Sequence, residues 1–177
     1  MKLMFASDIH GSAYWTQKTL ERFEVEKADY LVLLGDLLYH GPRNPLPDGH
    51  DPQGVIKLLN SIKCQIIAIR GNCDSEVDQM MLEFPLTADY NILPFKGYKV
   101  VLTHGHLYDE NHLPKSLTQG DIFVYGHVHI PIIKQVNGIH IFNPGSVALP
   151  KEGHPHTYGI FDDQGLQIKT FDGEVYL

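Results

Sequence analysis

The sequence predicts an α/β protein in which two mixed β-sheets face each other and helices lie outside. Over the first 70 residues, short apolar runs alternate with amphipathic segments, which is typical of parallel strands connected by helices. From residue 90 onward, short strands follow one another with Lys-Gly and Asn-Gly turns, which favours antiparallel hairpins. Sheets with one apolar face must cover it, so two sheets packed together with outer helices form the expected α/β/β/α sandwich.

The N-terminal segment predicts a strand–helix–strand unit. Leu3–Ala6 is an apolar run that indicates a buried strand. Ser12 can cap a helix over residues 13–27, and Tyr30–Leu34 is a second buried strand. Such a unit within about 35 residues implies that the two strands are parallel.

A second helix and a third strand follow. Asp51-Pro52 is an N-cap followed by proline at the first helical position, and apolar residues recur at i, i+3, i+4 and i+7 from Val55. Residues 65–69 predict a buried strand, and residues 75–84 predict a helix that ends before a proline. The 177 residues suit one domain spanning 1–177.

The C-terminal half predicts seven further strands. They are expected at residues 90–95, 99–103, 122–125, 132–136, 139–142, 158–161 and 166–171. Asn137-Gly138 is the strongest hairpin signal, because both residues tolerate the positive φ angles of a tight turn.

Composition excludes several classes of protein. The net charge is −7 and no basic run is present, so extended binding to nucleic acid is not expected. Two cysteines do not form a disulfide framework, and no apolar stretch approaches the roughly 18 residues of a membrane span. The N-terminus is read as a first strand rather than a signal peptide, so we expect a cytoplasmic protein without a membrane partner.

Polar residues of metal-binding type follow predicted strands at five places. These are Asp8-Ile9-His10, Gly35-Asp36, Gly71-Asn72-Cys73-Asp74, His104-Gly105-His106 and Gly126-His127-Val128-His129. Taken singly, each has a plain structural interpretation as a turn, a helix cap or an outward-facing strand residue. Sites in open α/β sheets lie beyond the carboxyl ends of the strands, so five such coincidences favour one shared site.

In order and spacing, these five motifs resemble the calcineurin-like metallophosphoesterase superfamily. Chain length and the segment Asn143-Pro144-Gly145-Ser146 resemble its small bacterial phosphodiesterases of the YfcE type. The resemblance implies the four-layer metallophosphoesterase fold and a site for two divalent metal ions, by family usage manganese, with zinc, iron or nickel as alternatives.

The resemblance also implies a role for each ligand. Asp8, His10 and His129 would hold the first metal, Asn72, His104 and His127 the second, and Asp36 would bridge both. A hydroxide bridging the two ions would attack phosphorus, with Asn72 and His10 near the phosphoryl oxygens. We therefore expect a hydrolase acting on phosphoric diester bonds.

Cys73 and Asp74 complete the predicted catalytic residues, beside Asn72 and His10. Many relatives carry histidine at the position of Cys73, where it can protonate the leaving oxygen. A thiol is a poorer proton donor, so Cys73 favours small phosphodiesters with good leaving groups. Asp74 either orients residue 73 or caps the helix that follows.

Alternative functions remain open on sequence alone. A phosphomonoesterase, including a protein phosphatase, would use the same metals, and a nuclease would need a basic groove that the sequence lacks. A non-catalytic protein-binding scaffold of the retromer-subunit type would lack ligands that are all present here. The long loop Tyr39–Gly54 follows the bridging carboxylate and is a candidate lid, while a homo-oligomer is neither indicated nor excluded.

Overall fold

The computed structural model describes residues 1–177 and contains two five-stranded mixed sheets. The first sheet has the order β10-β9-β1-β2-β3 and the second the order β4-β5-β6-β8-β7. The strands of the first sheet are β1 (Leu3–Ala6), β2 (Tyr30–Leu33), β3 (Ile66–Ala68), β9 (Thr157–Asp162) and β10 (Gly165–Thr170). Those of the second are β4 (Tyr90–Phe95), β5 (Tyr98–Thr103), β6 (Ile122–Val124), β7 (Pro131–Val136) and β8 (Ile139–Pro144).

Three helices accompany the sheets, namely α1 (Ala13–Glu26), α2 (Pro52–Ser61) and α3 (Glu76–Met81), with a short 3₁₀ turn at Lys63–Gln65. Local chemistry explains where they begin. The Ser12 hydroxyl accepts from the Trp15 N–H at the start of α1, and the Asp51 carboxylate accepts from the Gly54 N–H at the start of α2. None of the helices combines the length and the apolar character needed to cross a bilayer.

The main core lies between the two sheets. Alternate residues of each strand point inward, so Leu3 and Phe5 of β1 meet Val124 of β6 and Phe142 of β8 in one buried cluster. The rings of Phe5 and Phe142 pack edge to face at 5.4 Å between centroids. This contact fixes the two sheets face to face, as predicted.

The outer faces are covered in two different ways. Helices α1 and α2 pack on the first sheet, where Phe23 and Leu59 join Met4 and Leu31 in a second buried cluster. On the second sheet, the covering layer is segment 105–121, made of turns without a helix. The predicted fold class is confirmed, and this layer is where it differs from a sandwich with helices on both sides.

The sheet topology brings strand ends to one edge. Strands β1, β2 and β3 are parallel in the first sheet, and β5, β6 and β8 are parallel in the second. Within each sheet, the carboxyl ends of these strands therefore open on one edge, and the residues that follow them can converge there.

Candidate metal centre

All seven predicted ligands meet at this edge, in two groups. Asp8, His10 and His129 form one group, and Asp36, His104 and His127 form the other. Within each group the candidate ligand atoms all lie within 4.8 Å of one another. Asn72 joins the second group, because its Oδ1 lies 3.0 Å from His104 Nε2.

In the first group, hydrogen bonds on the far side of each ring orient the imidazoles. His10 Nδ1 donates to the Tyr39 carbonyl at 2.9 Å, and His129 Nδ1 donates to the Leu149 carbonyl at 2.6 Å. A carbonyl only accepts, so in each neutral ring the proton is on Nδ1 and Nε2 carries a lone pair. The two Nε2 atoms face each other at 3.4 Å, and that of His129 lies 3.3 Å from Asp8 Oδ1.

In the second group, a hydrogen bond to a backbone carbonyl orients His104 in the same way. His104 Nδ1 donates to the Leu34 carbonyl at 2.6 Å, so the neutral ring presents Nε2 as an acceptor. That Nε2 lies 3.2 Å from His127 Nδ1 and 3.4 Å from Asp36 Oδ1. Asp8, His10, Asp36, His104 and His129 are buried, whereas His127 is half-buried and Asn72 exposed, so the second group faces solvent.

Asp36 connects the two groups through its two oxygens. Oδ1 is near His104 as described, and Oδ2 lies 3.7 Å from His10 Nε2. The Cys73 N–H donates to Oδ1 at 2.8 Å and holds the carboxylate in this orientation. One carboxylate is therefore placed to serve two ions.

The donor chemistry of both groups fits divalent cations. With the imidazoles neutral, lone pairs converge in each group, an arrangement that a cation stabilises. Asp8 Oδ1 is buried and has no hydrogen-bond partner, whereas Oδ2 accepts from Ser7 Oγ at 2.7 Å and from the His127 N–H at 3.0 Å. The one free oxygen of Asp8 is thus the one aimed at the first group.

Five of the seven predicted ligands have a left-handed backbone. The φ angles are 58° at Asp8, 51° at His10, 57° at Asp36, 68° at His127 and 62° at His129. Residues with a Cβ rarely adopt this conformation, which costs roughly 1 kcal/mol or more each. The strands end in these turns, and each turn redirects a side chain toward the shared site.

Two glycines allow the close approach. A Cβ at Gly71 would collide with the carboxylate and backbone nitrogen of Asp36, and one at Gly126 would collide with the Ser7 hydroxyl. Neither glycine has a positive φ, so glycine is required at these positions because there is no room for a Cβ.

Opposite charges inside the site shift the pKa values of its carboxylates and imidazoles. Burial alone would raise the pKa of Asp8, but the imidazoles of His129 and His104 outweigh burial and lower it. Burial likewise opposes the charge of His104, yet Asp36 and Asp8 raise its pKa to about 9. The two carboxylates therefore create a strong negative potential that attracts cations, whether a proton on His104 or a metal ion in its place.

Cys73 and Asp74 occupy different surroundings. Cys73 Sγ lies within the space shared by His10 and Asp36, and the Asn72 amide donates to it at 3.3 Å. Burial and the nearby Asp36 carboxylate raise the pKa of Cys73 to about 12, so its thiol stays protonated.

Asp74 accepts hydrogen bonds from backbone groups, and the helix-cap role that the sequence suggested for it is wrong. Its Oδ2 accepts from the Asp36 N–H at 2.8 Å and the Gly71 N–H at 2.7 Å, and its Oδ1 accepts from the Leu37 N–H at 2.8 Å. Ser75 caps α3 instead. Asp74 is therefore a positioning residue that ties the turn after β2 to the turn after β3.

Sequence reasoning missed several supports of the site. Ser146 Oγ donates to the Asp8 carbonyl at 2.9 Å, and Asn143 Nδ2 donates to the Gly126 carbonyl at 2.8 Å. Only a family resemblance singles out the segment that contains them, because nothing local predicts contacts across 138 residues. His106 lies beside His104, with 5.5 Å between ring centroids, and its Nδ1 is buried without a partner.

Comparison with known proteins identifies the family of this chain. The model of the calcineurin-like phosphoesterase superfamily domain matches residues 1–165. The chain belongs to this superfamily. The phosphodiesterase YfcE of Escherichia coli K12 is 51% identical over 168 residues, which is 95% of this chain and 91% of that protein. The solved structure of YfcE superposes with a TM-score of 0.97 at 49% identity, covering 100% of this chain and 97% of that one.

More distant proteins are similar over nearly the whole of this chain. A phosphodiesterase of Methanocaldococcus jannaschii is 26% identical over 96% of this chain and 97% of its own length. Vps29 of Entamoeba histolytica, solved with zinc, has a TM-score of 0.65 at 19% identity, covering 99% of this chain and 96% of that one. At that identity, the likeness to Vps29 shows the fold alone. The predicted superfamily and fold are confirmed.

Proposed function

We propose that this protein is a phosphodiesterase that uses two divalent ions, most simply manganese, at the site described above. The observation that carries the proposal is the pair of converging acceptor groups joined by the two oxygens of Asp36. Similarity to YfcE supports the same enzyme class, a hydrolase acting on phosphodiester bonds.

We assign each candidate ligand to one of the two ions or to both. Asp8, His10 and His129 would hold one ion, Asn72, His104 and His127 the other, and Asp36 both. When bound, the two ions supply a nucleophilic water at neutral pH and positive charge for the phosphoryl oxygens. Since Asn72 donates only one amide hydrogen to Cys73, its other hydrogen is free to bind a phosphoryl oxygen.

The need of the leaving oxygen for a proton determines which phosphate esters we expect to be substrates. Position 73 carries a thiol instead of an imidazole, so an alkoxide leaving group receives little help from a proton donor there. Acidic leaving groups need no such help. We therefore propose small phosphodiesters with acidic leaving groups as substrates and simple phosphomonoesters as poor ones.

The test loads the purified protein with manganese and measures two quantities. Metal analysis should give two ions per chain, and an aryl phosphodiester should be hydrolysed at least tenfold faster than the matching aryl monoester. Asp36→Asn should lose one or both ions and the activity, while Asp163→Asn, an exposed carboxylate on the β9–β10 turn, should change neither. Faster hydrolysis of the monoester would favour a phosphomonoesterase.

The same experiment addresses a protein-binding scaffold. A chain that binds no divalent ion and hydrolyses no diester with manganese, zinc, iron or nickel would overturn the proposal. Cytoplasmic location and the oligomeric state stay predictions.

A further inference from the structure

A cleft of about 530 Å³ opens directly on the metal centre. Asp36, Asn72 and His127 form part of its wall, so a phosphate held by the ions would lie at one end of the cleft. Clefts of several hundred Å³ bind small molecules. The rest of the wall must therefore contact whatever group the substrate carries beyond the scissile phosphate.

Two cations line this cleft, Arg43 and Lys151. Nine of the fourteen lysine and arginine side chains form ion pairs, but neither of these two does. Both cations in the wall are therefore free to bind a ligand anion.

Both are carried by segments attached to the site. The Lys151 N–H donates to the carbonyl of the ligand His129 at 3.3 Å. Arg43 lies in a turn closed by Asn44, whose amide donates to the His40 carbonyl at 2.9 Å. The neighbouring Gly41 packs so closely that an added Cβ would lie 3.3 Å from Cys73 Sγ. A backbone hydrogen bond ties the Lys151 segment to His129, and the packing of Gly41 places the Arg43 segment beside Cys73.

The wall offers little to a nucleobase. Its only apolar side chains are Pro42, Val128 and Ile130, and no phenylalanine, tyrosine or tryptophan lines it. Stacking on such rings is the usual way a protein holds a base without reading its sequence. One carboxylate besides Asp36, that of Glu152, also faces the cleft and opposes the two cations.

We propose that Arg43 and Lys151 form a subsite for a second anionic group, so that the preferred substrates are small diesters carrying an additional phosphate or carboxylate. This inference rests on the proposed function and specifies its substrate class. The oxygen of water bonds to phosphorus, the bond to the leaving oxygen breaks with its electron pair on that oxygen, and the proton lost by the water goes to solvent. The other product is a phosphomonoester that still carries the second anion.

The test compares two diesters that release the same p-nitrophenolate. One retains a 2-methoxyethyl group and the other a 2-(phosphonooxy)ethyl group. With the manganese-loaded enzyme, we expect kcat/KM to favour the phosphate-ended diester by about tenfold, mainly through KM. Both cations are exposed, and two charge-assisted contacts of this kind together are of this size. The preference should shrink between roughly 0.01 and 0.5 M salt, where screening increases.

Three variants test whether the charged side chains of the cleft cause the preference for the phosphate-ended diester. Arg43→Met and Lys151→Met should each reduce the ratio of the two kcat/KM values, and Glu152→Gln should increase it. Lys57→Met, an exposed lysine of α2 that forms no ion pair, is the matched control and should leave the ratio within twofold. Calorimetric binding of ethylene bisphosphate against 2-hydroxyethyl phosphate should give the same ranking without turnover.

The outcomes separate the two proposals. Turnover of both diesters at equal kcat/KM, or a ratio unchanged in all three cleft variants, would overturn the anion subsite and leave the phosphodiesterase intact. A larger kcat/KM for the p-nitrophenyl ester of thymidine 5′-phosphate than for the phosphate-ended diester would also overturn it, in favour of a base-binding cleft. No turnover of any diester would refute the proposed function itself.

Discussion

Replacing Asp74 by asparagine tests whether this carboxylate organises the metal centre without touching it. The side chain is 9% exposed and accepts three backbone N–H groups. Asparagine keeps one acceptor oxygen, which can serve the pair of N–H groups from Asp36 and Gly71. Its NH₂ group then faces the Leu37 N–H, so one hydrogen bond is lost and a buried donor is left unpaired.

The expected cost follows from that count. One buried donor without a partner costs about 2 kcal/mol in the free energy of unfolding, since hydrogen bonds to charged groups are worth somewhat more than neutral ones. For a chain of this size, that change lowers Tm by about 4–8 °C. Because Leu37 directly follows Asp36, the lost bond loosens the backbone that carries the Asp36 carboxylate, and we expect manganese affinity to fall by about tenfold as well.

Urea unfolding and calorimetric titration of manganese at pH 8 measure the two effects. The matched control is Asp78→Asn in the same segment, where the carboxylate accepts the Ser75 N–H at 2.8 Å at the surface. Asparagine still caps there, so the control should lose under about 1 kcal/mol. If Asp74→Asn were as stable as the control variant and bound manganese as tightly as the wild type, the reasoning about Asp74 would be refuted.

Three further predictions concern stability, leaving groups and the metals. Burial would raise the pKa of Glu26, but hydrogen bonds from Lys169 and Tyr158 outweigh it and hold the pKa below the usual 4.5. Glu26 therefore stabilises the fold above that pH and loses this contribution as the pH falls through the lowered value, so Glu26→Gln should cost about 2 kcal/mol in urea unfolding at pH 7 and less at pH 3. Cys73→Ala should change kcat little for aryl diesters with acidic leaving groups and lower it by a larger factor as the pKa of the leaving group rises, since only basic leaving groups need a proton. Raising manganese from zero, in chelator, to a hundred times its dissociation constant should stabilise the protein by about 2.7 kcal/mol for each ion bound, measured in thermal unfolding.

Each of the three has a result that contradicts it. An equal cost of Glu26→Gln at both pH values would mean that the charge of the carboxylate is not what stabilises. Full activity of Cys73→Ala on every diester would remove the thiol from the reaction. A Tm unaffected by manganese would contradict the coupling of metal binding to the folded state. The control for this experiment is Lys63→Met at the surface, whose Tm should respond to manganese as that of the wild type does.

Local chemistry made much of the fold predictable. Asn137 and Gly138 adopt φ angles of 52° and 80° in the predicted hairpin between β7 and β8. The helix predicted over residues 75–84 ends at Met81 instead, because Leu82 and Phe84 turn into the core. Tertiary burial overrides helix propensity there, and no local pattern reveals it.

The site was predictable to the level of residue types and less so in its supports. Ligands directly after strands indicate a common edge, since parallel strands end together. Arg43 and Lys151, by contrast, lie 108 residues apart in the sequence, and only the folded loops bring both to one cleft. The partners of Asp74 were equally unpredictable, because backbone N–H groups carry no signature in the sequence.

The left-handed turns at five ligands bear on how such a centre could be designed anew. Ideal strands and helices place no residue near a φ of about +60°, and grafting these side chains onto regular elements would aim them elsewhere. An engineer would have to make the strained turns first, together with the serine and carboxylate contacts that hold them, and choose the ligands afterwards. The backbone conformation of these turns therefore determines where the histidine and aspartate side chains are placed.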